Sequence, residues 1–204
     1  INRSPAKTQA ALFELMEEKQ VSVDGITYPM SYPFMVLATQ NPIEQEGTYR
    51  LPEAQLDRFI FRIIMEYPNF EEEKQILYRF NNDFNNNISK EVKTVVNANE
   101  IKRCSELVEQ VFIKNFFIGH QTFNLIDKNH GVLFLGASPR ASLSLLKSSK
   151  AVAAISGRNF VTPDDVRTVS SAVLNHRIIP SPEKEMEGIT AQDIIQQIIQ
   201  KIEV

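Results

Sequence analysis

The sequence predicts an α/β unit over residues 1–67 followed by an all-helical unit over 68–204. Two apolar runs of strand length, the unbroken 34–38 and 59–65 with only Arg62 inside it, both precede Tyr67. A two-residue turn at Asp24-Gly25, flanked by Val21, Val23, Ile26 and Tyr28, adds a hairpin to the same half. From Pro68 onward the apolar residues recur at helical spacing. The change of period at a proline places the junction there.

Ser4-Pro5 reads as a helix start, with Ser capping free N–H groups and Pro at the first helical position. Ala11, Leu12, Leu15 and Met16 carry the helix to about Lys19. The hairpin follows, with a loop through Pro29 and Pro33 behind it. Unbroken apolar character over 34–38 predicts a strand covered on both faces, ended by Asn41-Pro42. A polar, acidic loop leads to a short helix near 52–57 and then the second strand.

In the second half, helices are expected over 71–80, 99–111, 115–128 and 139–156, the last ended by Gly157. The Asn-rich tract 81–87 reads as an exposed loop. Thr162-Pro163-Asp164-Asp165 combines a cap, a first-position Pro and acids in the positive first turn. Thr190 to Asp193 repeats that logic for a final helix to about Ile202.

Composition narrows the function classes. A chain of 204 residues, 43% hydrophobic and 23% charged, can bury a core without disulfides or metal. A net charge of −3 disfavours a dedicated nucleic-acid binder. No apolar run approaches the roughly 18–20 residues of a membrane span. The lone Cys104 excludes an internal disulfide, and with no visible signal peptide a cytoplasmic location is the expectation. His120, His130 and His176 lack ligand spacing with one another or with Cys104, so no metal site is expected. The chain opens without Met directly into a helix start, which reads as a fragment or a processed product.

Three segments carry a family resemblance. They are Ile1-Asn2-Arg3-Ser4-Pro5-Ala6-Lys7-Thr8-Gln9-Ala10-Ala11-Leu12, then the stretch from Leu37-Ala38-Thr39-Gln40-Asn41-Pro42 to Leu56-Asp57-Arg58-Phe59, then Gly136-Ala137-Ser138-Pro139-Arg140-Ala141. In this order and spacing the chain resembles the MoxR branch of AAA+ ATPases over nearly its whole length. Arg50 departs from the pattern, where Pro is usual. The resemblance implies a partial P-loop core of parallel-sheet strands, helices and a hairpin, followed by an α-helical lid.

It also implies roles. Asn41 resembles sensor 1, whose neutral amide orients the attacking water; the bland reading is a turn cap before Pro42. Arg58 resembles the arginine finger that reaches a neighbouring subunit's nucleotide. Its bland reading is a surface ion pair with Asp57 or Glu53. Arg140 resembles sensor 2, acting with Asn41 on the chain's own nucleotide. A cation in a helix's first turn is unfavourable unless an anion offsets it, which favours a phosphate partner over an idle surface Arg. Hairpin 21–28 stands where the family carries its pre-sensor 1 hairpin.

No G-x-x-x-x-G-K-[ST] occurs among the 204 residues, and the acidic pair expected just before Ile1 is absent. This chain alone is therefore expected to be inactive, with ATP and Mg²⁺ held mainly by an upstream segment of a full-length parent. The resemblance implies a parent that is a chaperone-like or regulatory ATPase working as a hexameric ring, with a von Willebrand factor A domain protein as its expected partner. The alternative is a non-enzymatic assembly module.

Overall fold

The computed structural model describes residues 1–41, 51–81, 92–113 and 132–201. Helix α1 (Ala6–Glu18) opens the chain and ends with Lys19 in the left-handed region, its N–H bonded to Leu15 O. Ser4 does not cap this helix: the cap position falls on Pro5 and no side chain bonds the free N–H groups. Gln9 stabilises the entry instead, donating from its amide to the carbonyls of Ile1 and Ser4.

Strands β1 (Gln20–Val23) and β2 (Ile26–Pro29) pair antiparallel. Asp24 and Gly25 both take positive φ, 51° and 78°, which a primed two-residue turn requires. Ser22 Oγ donates to Glu14 Oε1 at 2.6 Å and ties the hairpin back to α1.

The apolar runs 34–38 and 59–65 have no ladder partner among the described residues. Met35 and Leu37 are 79% and 84% exposed, and Met65 is 86% exposed. A central strand needs neighbours on both edges and cover on both faces, and the described residues do not supply them here. The second run is tied to the helical half by long-range bonds instead: Arg62 N–H donates to Ala172 O at 2.9 Å, and the Phe59 and Ile60 carbonyls accept from Arg177. Between the two runs lies the single turn α2 (Glu53–Leu56).

Helix α3 (Phe70–Asn81) and helix α4 (Ala98–Gln110) follow. The expected loop 81–87 falls, beyond Asn81, outside the described residues, as does the expected helix 115–128. Next come β3 (Leu133–Leu135), α5 (Pro139–Ile155), α6 (Pro163–Leu174), β4 (Ile179–Pro180), α7 (Pro182–Met186) and α8 (Ala191–Lys201). The second half is thus not purely helical: β3 pairs antiparallel with β4. Three residues are too few to show a period of two, so periodicity passes over this pair.

Helix starts repeat one local solution. Asn69 with Glu72, and Asn97 with Glu100, exchange reciprocal backbone–side-chain bonds. Thr190 with Asp193 does the same. At α6 the Asp165 carboxylate accepts from both the N–H and the hydroxyl of Thr162, at 2.8 and 2.9 Å. Helix α5 closes with Gly157 at φ 73°, where Gly157 N–H reaches Ala154 O and Arg158 N–H reaches Ala153 O. That Schellman arrangement needs a left-handed residue, hence glycine.

The core sits where α5, α6 and α8 meet. Ala141 and Leu145 of α5 face Val169, Val173 and Leu174 of α6, closed by Ile178 and by Ile194 and Ile195 of α8. Each fully buried Leu or Ile here contributes about 1.5–3 kcal/mol. This packing sets α5 rigidly, and with it the residues of its first turn.

Candidate functional site at the junction of the two halves

Three elements meet at an open cleft of about 500 Å³, lined by residues that include Glu17, Asp57, Arg58, Arg140, Lys147 and Arg177. Glu17 lies in the last turn of α1, Asp57 and Arg58 just after α2, and Arg140 in the first turn of α5. Lys147 is seven residues beyond Arg140, two helical turns along the same face.

Arg58 and Arg140 converge on one carboxylate. Arg58 Nη2 donates to Glu17 Oε2 at 2.9 Å. Its Nε lies 2.8 Å from Oε1, an ion-pair contact whose N–H direction falls short of a hydrogen bond. Arg140 Nη2 donates to the same Oε1 at 2.5 Å. The Arg58 guanidinium also stacks 5.5 Å from the Phe13 ring centre, which restricts its rotamers. Hydrogen bonding from Arg58 holds the Glu17 carboxyl below its ordinary pKa against its partial desolvation, with further help from both arginine charges.

Behind this pair a second network fastens the first half of the chain to the second. Asp57 accepts from Ser138 Oγ at 2.9 and 2.8 Å and from Arg177 Nε at 2.9 Å. Arg177, 1% exposed, directs its remaining donors to the Asp57 and Phe59 carbonyls and Ser144 Oγ from Nη2, and to the Ile60 and Val173 carbonyls from Nη1. Burial lowers the Arg177 pKa, and the hydrogen bond and charge of Asp57 oppose that. His176 Nε2 stands 3.0 Å from Phe59 O and must carry the proton there, since a carbonyl only accepts. Burial pushes its pKa down to about 4, so the ring is neutral.

Asn41 stands apart from the cleft. The buried Asn2 side chain clamps its backbone, donating to Asn41 O at 3.0 Å and accepting from Asn41 N at 3.3 Å. Of the residues singled out from sequence, the structure therefore brings Arg58 and Arg140 together and leaves Asn41 elsewhere. Asp57 and Glu53, the surface partners weighed for Arg58, are not its hydrogen-bond partners; Glu17 is.

Sequence reasoning gave no role to Glu17, Ser138 or Arg177, weighed Asp57 only as a surface partner of Arg58, and weighed His176 only as a metal ligand. One signal was available: Glu17 and Glu18 close α1 at its negative end, where a carboxylate is unfavourable without a cation. Among the described residues no group of three or more His, Cys, Asp or Glu is placed to hold a metal ion. The cleft's donors, two guanidiniums and an ammonium, fit an anion such as a phosphate.

Comparison with known proteins agrees with this layout. Residues 1–61 match the profile of the ATPase family associated with various cellular activities (AAA), and residues 128–198 that of the AAA lid domain. The chain is 37% identical over 213 residues to the chaperone MoxR1 of Mycobacterium tuberculosis, covering 99% of this chain and 55% of that one. It is 39% identical over 221 residues to the Bacillus subtilis protein YeaC, covering 100% and 63%. A crystal structure of a candidate ATPase from Cytophaga hutchinsonii superposes with a TM-score of 0.88 at 40% identity, over 99% of this chain and 63% of that one. The chain thus spans 55% to 63% of the length of these relatives. With an AAA match on the first half, a lid match on the second and a junction built between them, the chain belongs to the MoxR branch of the AAA+ ATPase family.

Proposed function

We propose that this chain forms the sensor and lid portion of an ATP-hydrolysing, ring-forming machine that remodels partner proteins. The observation that carries the reading is the convergence of Arg58 and Arg140 on one carboxylate at the edge of the lid. Two guanidiniums from parts of the chain 82 positions apart, aimed at one point, are suited to a phosphoryl group whose charge grows during transfer.

Arg58 acts as the finger on a neighbouring subunit's nucleotide. Arg140, which the resemblance pairs with Asn41 on the chain's own nucleotide, meets Arg58 on Glu17 and is assigned here to the same nucleotide as Arg58. Asn41, held at the end of its segment by Asn2, orients the attacking water at the chain's own nucleotide. ATP supplies the phosphoryl group and Mg²⁺ neutralises its oxygens; these residues bind, orient and stabilise charge. Closed rings present the same two surfaces at every contact, which is what a residue acting across a boundary requires. A hexamer, a cytoplasmic location and a partner bearing a von Willebrand factor A domain complete the reading, as the family resemblance of the sequence implies.

The test is Arg58→Ala in an assembled protein that carries a complete nucleotide site. Turnover should fall by about 10³-fold or more while nucleotide affinity changes little. Unchanged turnover would sink the finger assignment. A non-enzymatic assembly module is the second reading, favoured by the pairing of Arg58, Arg140 and Arg177 with carboxylates of the chain itself. It expects ring or partner assembly that is indifferent to nucleotide.

A further inference from the structure

We propose that Glu17 is a built-in stand-in for a phosphate: its carboxylate fills the position between Arg58 and Arg140 that a terminal phosphate group takes, and must swing out for that group to enter. The inference rests on the reading of Arg58 and Arg140 as phosphate ligands, and adds the residue that controls access to them.

Both partners sit at electrostatically wrong helix ends. Glu17 occupies the negative end of α1, with no basic residue in that last turn. Arg140 occupies the positive end of α5, with no acid in that first turn. Each placement alone opposes the helix dipole; together, each supplies the charge the other lacks. Such mutual offset across two elements marks a functional arrangement more than a stability device.

The charges around the cleft support exchange. Its lining holds four cations (Arg58, Arg140, Lys147, Arg177) against three anions (Glu17, Glu18, Asp57), a formal balance of +1. Removing Glu17 from the centre raises this to +2, which a phosphate dianion matches. The two carboxylates are not equivalent. Asp57 is locked by Ser138 and the buried Arg177 and cannot leave. The Glu17 side chain is 33% exposed and Arg140 50%, so solvent can receive the displaced carboxylate.

Geometry favours the incoming group as well. Oε1 of Glu17 serves both arginines at once, whereas a phosphate offers three oxygens and can give each guanidinium its own edge. The resident carboxylate therefore screens the arginines from singly charged anions and yields to a more highly charged one. The depressed pKa of Glu17 keeps the stand-in ionised throughout the neutral range.

The experiment is a titration of this chain with inorganic pyrophosphate at low salt, followed by calorimetry and by the NMR shifts of the arginine Nε–H groups. Glu17→Gln is near-isosteric and lies at a partly exposed site, so folding is preserved. It should bind pyrophosphate about tenfold more tightly than the natural chain, because two ion pairs no longer compete. Adding Arg58→Ala and Arg140→Ala in that background should abolish the gain. Equal affinity of the natural chain and Glu17→Gln, with loss in the triple variant, would overturn the stand-in while leaving the arginines as phosphate ligands. A triple variant that binds as well as Glu17→Gln would overturn both.

Discussion

Replacing Arg177 by Met tests whether the junction is held by one buried cation. The side chain is 1% exposed and engages all three nitrogens: Nε on Asp57 Oδ1, and Nη1 and Nη2 on the carbonyls of Asp57, Phe59, Ile60 and Val173 and on Ser144 Oγ. Methionine fills similar volume but donates nothing. It takes a donor from the Asp57 carboxylate, itself only 14% exposed, and from four carbonyls, of which Phe59 O keeps His176 Nε2–H. Removing one partner of a buried pair costs about 3–5 kcal/mol. Asp57 keeps Ser138 Oγ, and Arg140 Nη1 stands 3.7 Å away, so the lower end, about 3 kcal/mol, applies. Against a typical total of about 5–15 kcal/mol, that loss is severe. Urea unfolding at pH 7 of Arg177→Met, Asp57→Asn and the double variant measures it. The double should lose at least about 1 kcal/mol less than the sum of the singles, since the second change removes a group already stranded. A loss below about 1 kcal/mol for Arg177→Met, or strict additivity, would refute the latch.

Two pH-linked predictions follow from the lid. His176 is held at about 4 by burial, while in the unfolded chain it takes a proton near its ordinary 6.5. The stability from keeping it neutral is thus fully present above pH 6.5 and is lost as pH falls toward 4, by about 3 kcal/mol. His176→Asn should flatten the dependence of the urea midpoint between pH 7 and 4.5; an NMR titration of the His176 ring centred near 6.5 would contradict it. Asp165 behaves as a carboxylate depressed to about 2, chiefly by its hydrogen bond from Arg158 and then by Thr162. Its contribution is present above pH 3.8 and disappears as pH falls through 2, so Asp165→Asn should cost about 2 kcal/mol at pH 7 and almost nothing near pH 2. Equal losses at both pH values would mean that the capping geometry, not the charge, does the work.

Much of the framework was legible in the residues because it is decided locally. A cap such as Thr162 with Asp165, a Gly157 that must take positive φ, or Asp24-Gly25 in a primed turn involves groups three or four positions apart, so spacing alone reports it. Ser4 shows the limit of that logic. Its hydroxyl is suited to accept from the free N–H groups, yet the cap position falls one residue later, on Pro5, and the entry is tied through the Ile1 and Ser4 carbonyls by Gln9, a contact that the cap pattern does not encode. Similarly, β3 and β4 escaped notice because a pair this short is specified by the core beside it and not by its own pattern.

The sequence by itself determined the family, the order of the elements and two arginines worth suspecting, since these depend on residue type and spacing along the chain. Only the tertiary structure decided what those arginines face. Glu17, Arg58 and Arg140 are separated by 41 and 82 positions, and nothing in their neighbours ranks Glu17 above Asp57 as the partner. The choice was made by packing: Arg177, buried behind the helices of the lid, holds Asp57 by a hydrogen bond and leaves it 3.7 Å from Arg140, while the seat of α5 brings Arg140 within hydrogen-bond distance of Glu17. Long-range electrostatics of this kind is set by which backbones the core brings together, and a linear pattern carries no record of that.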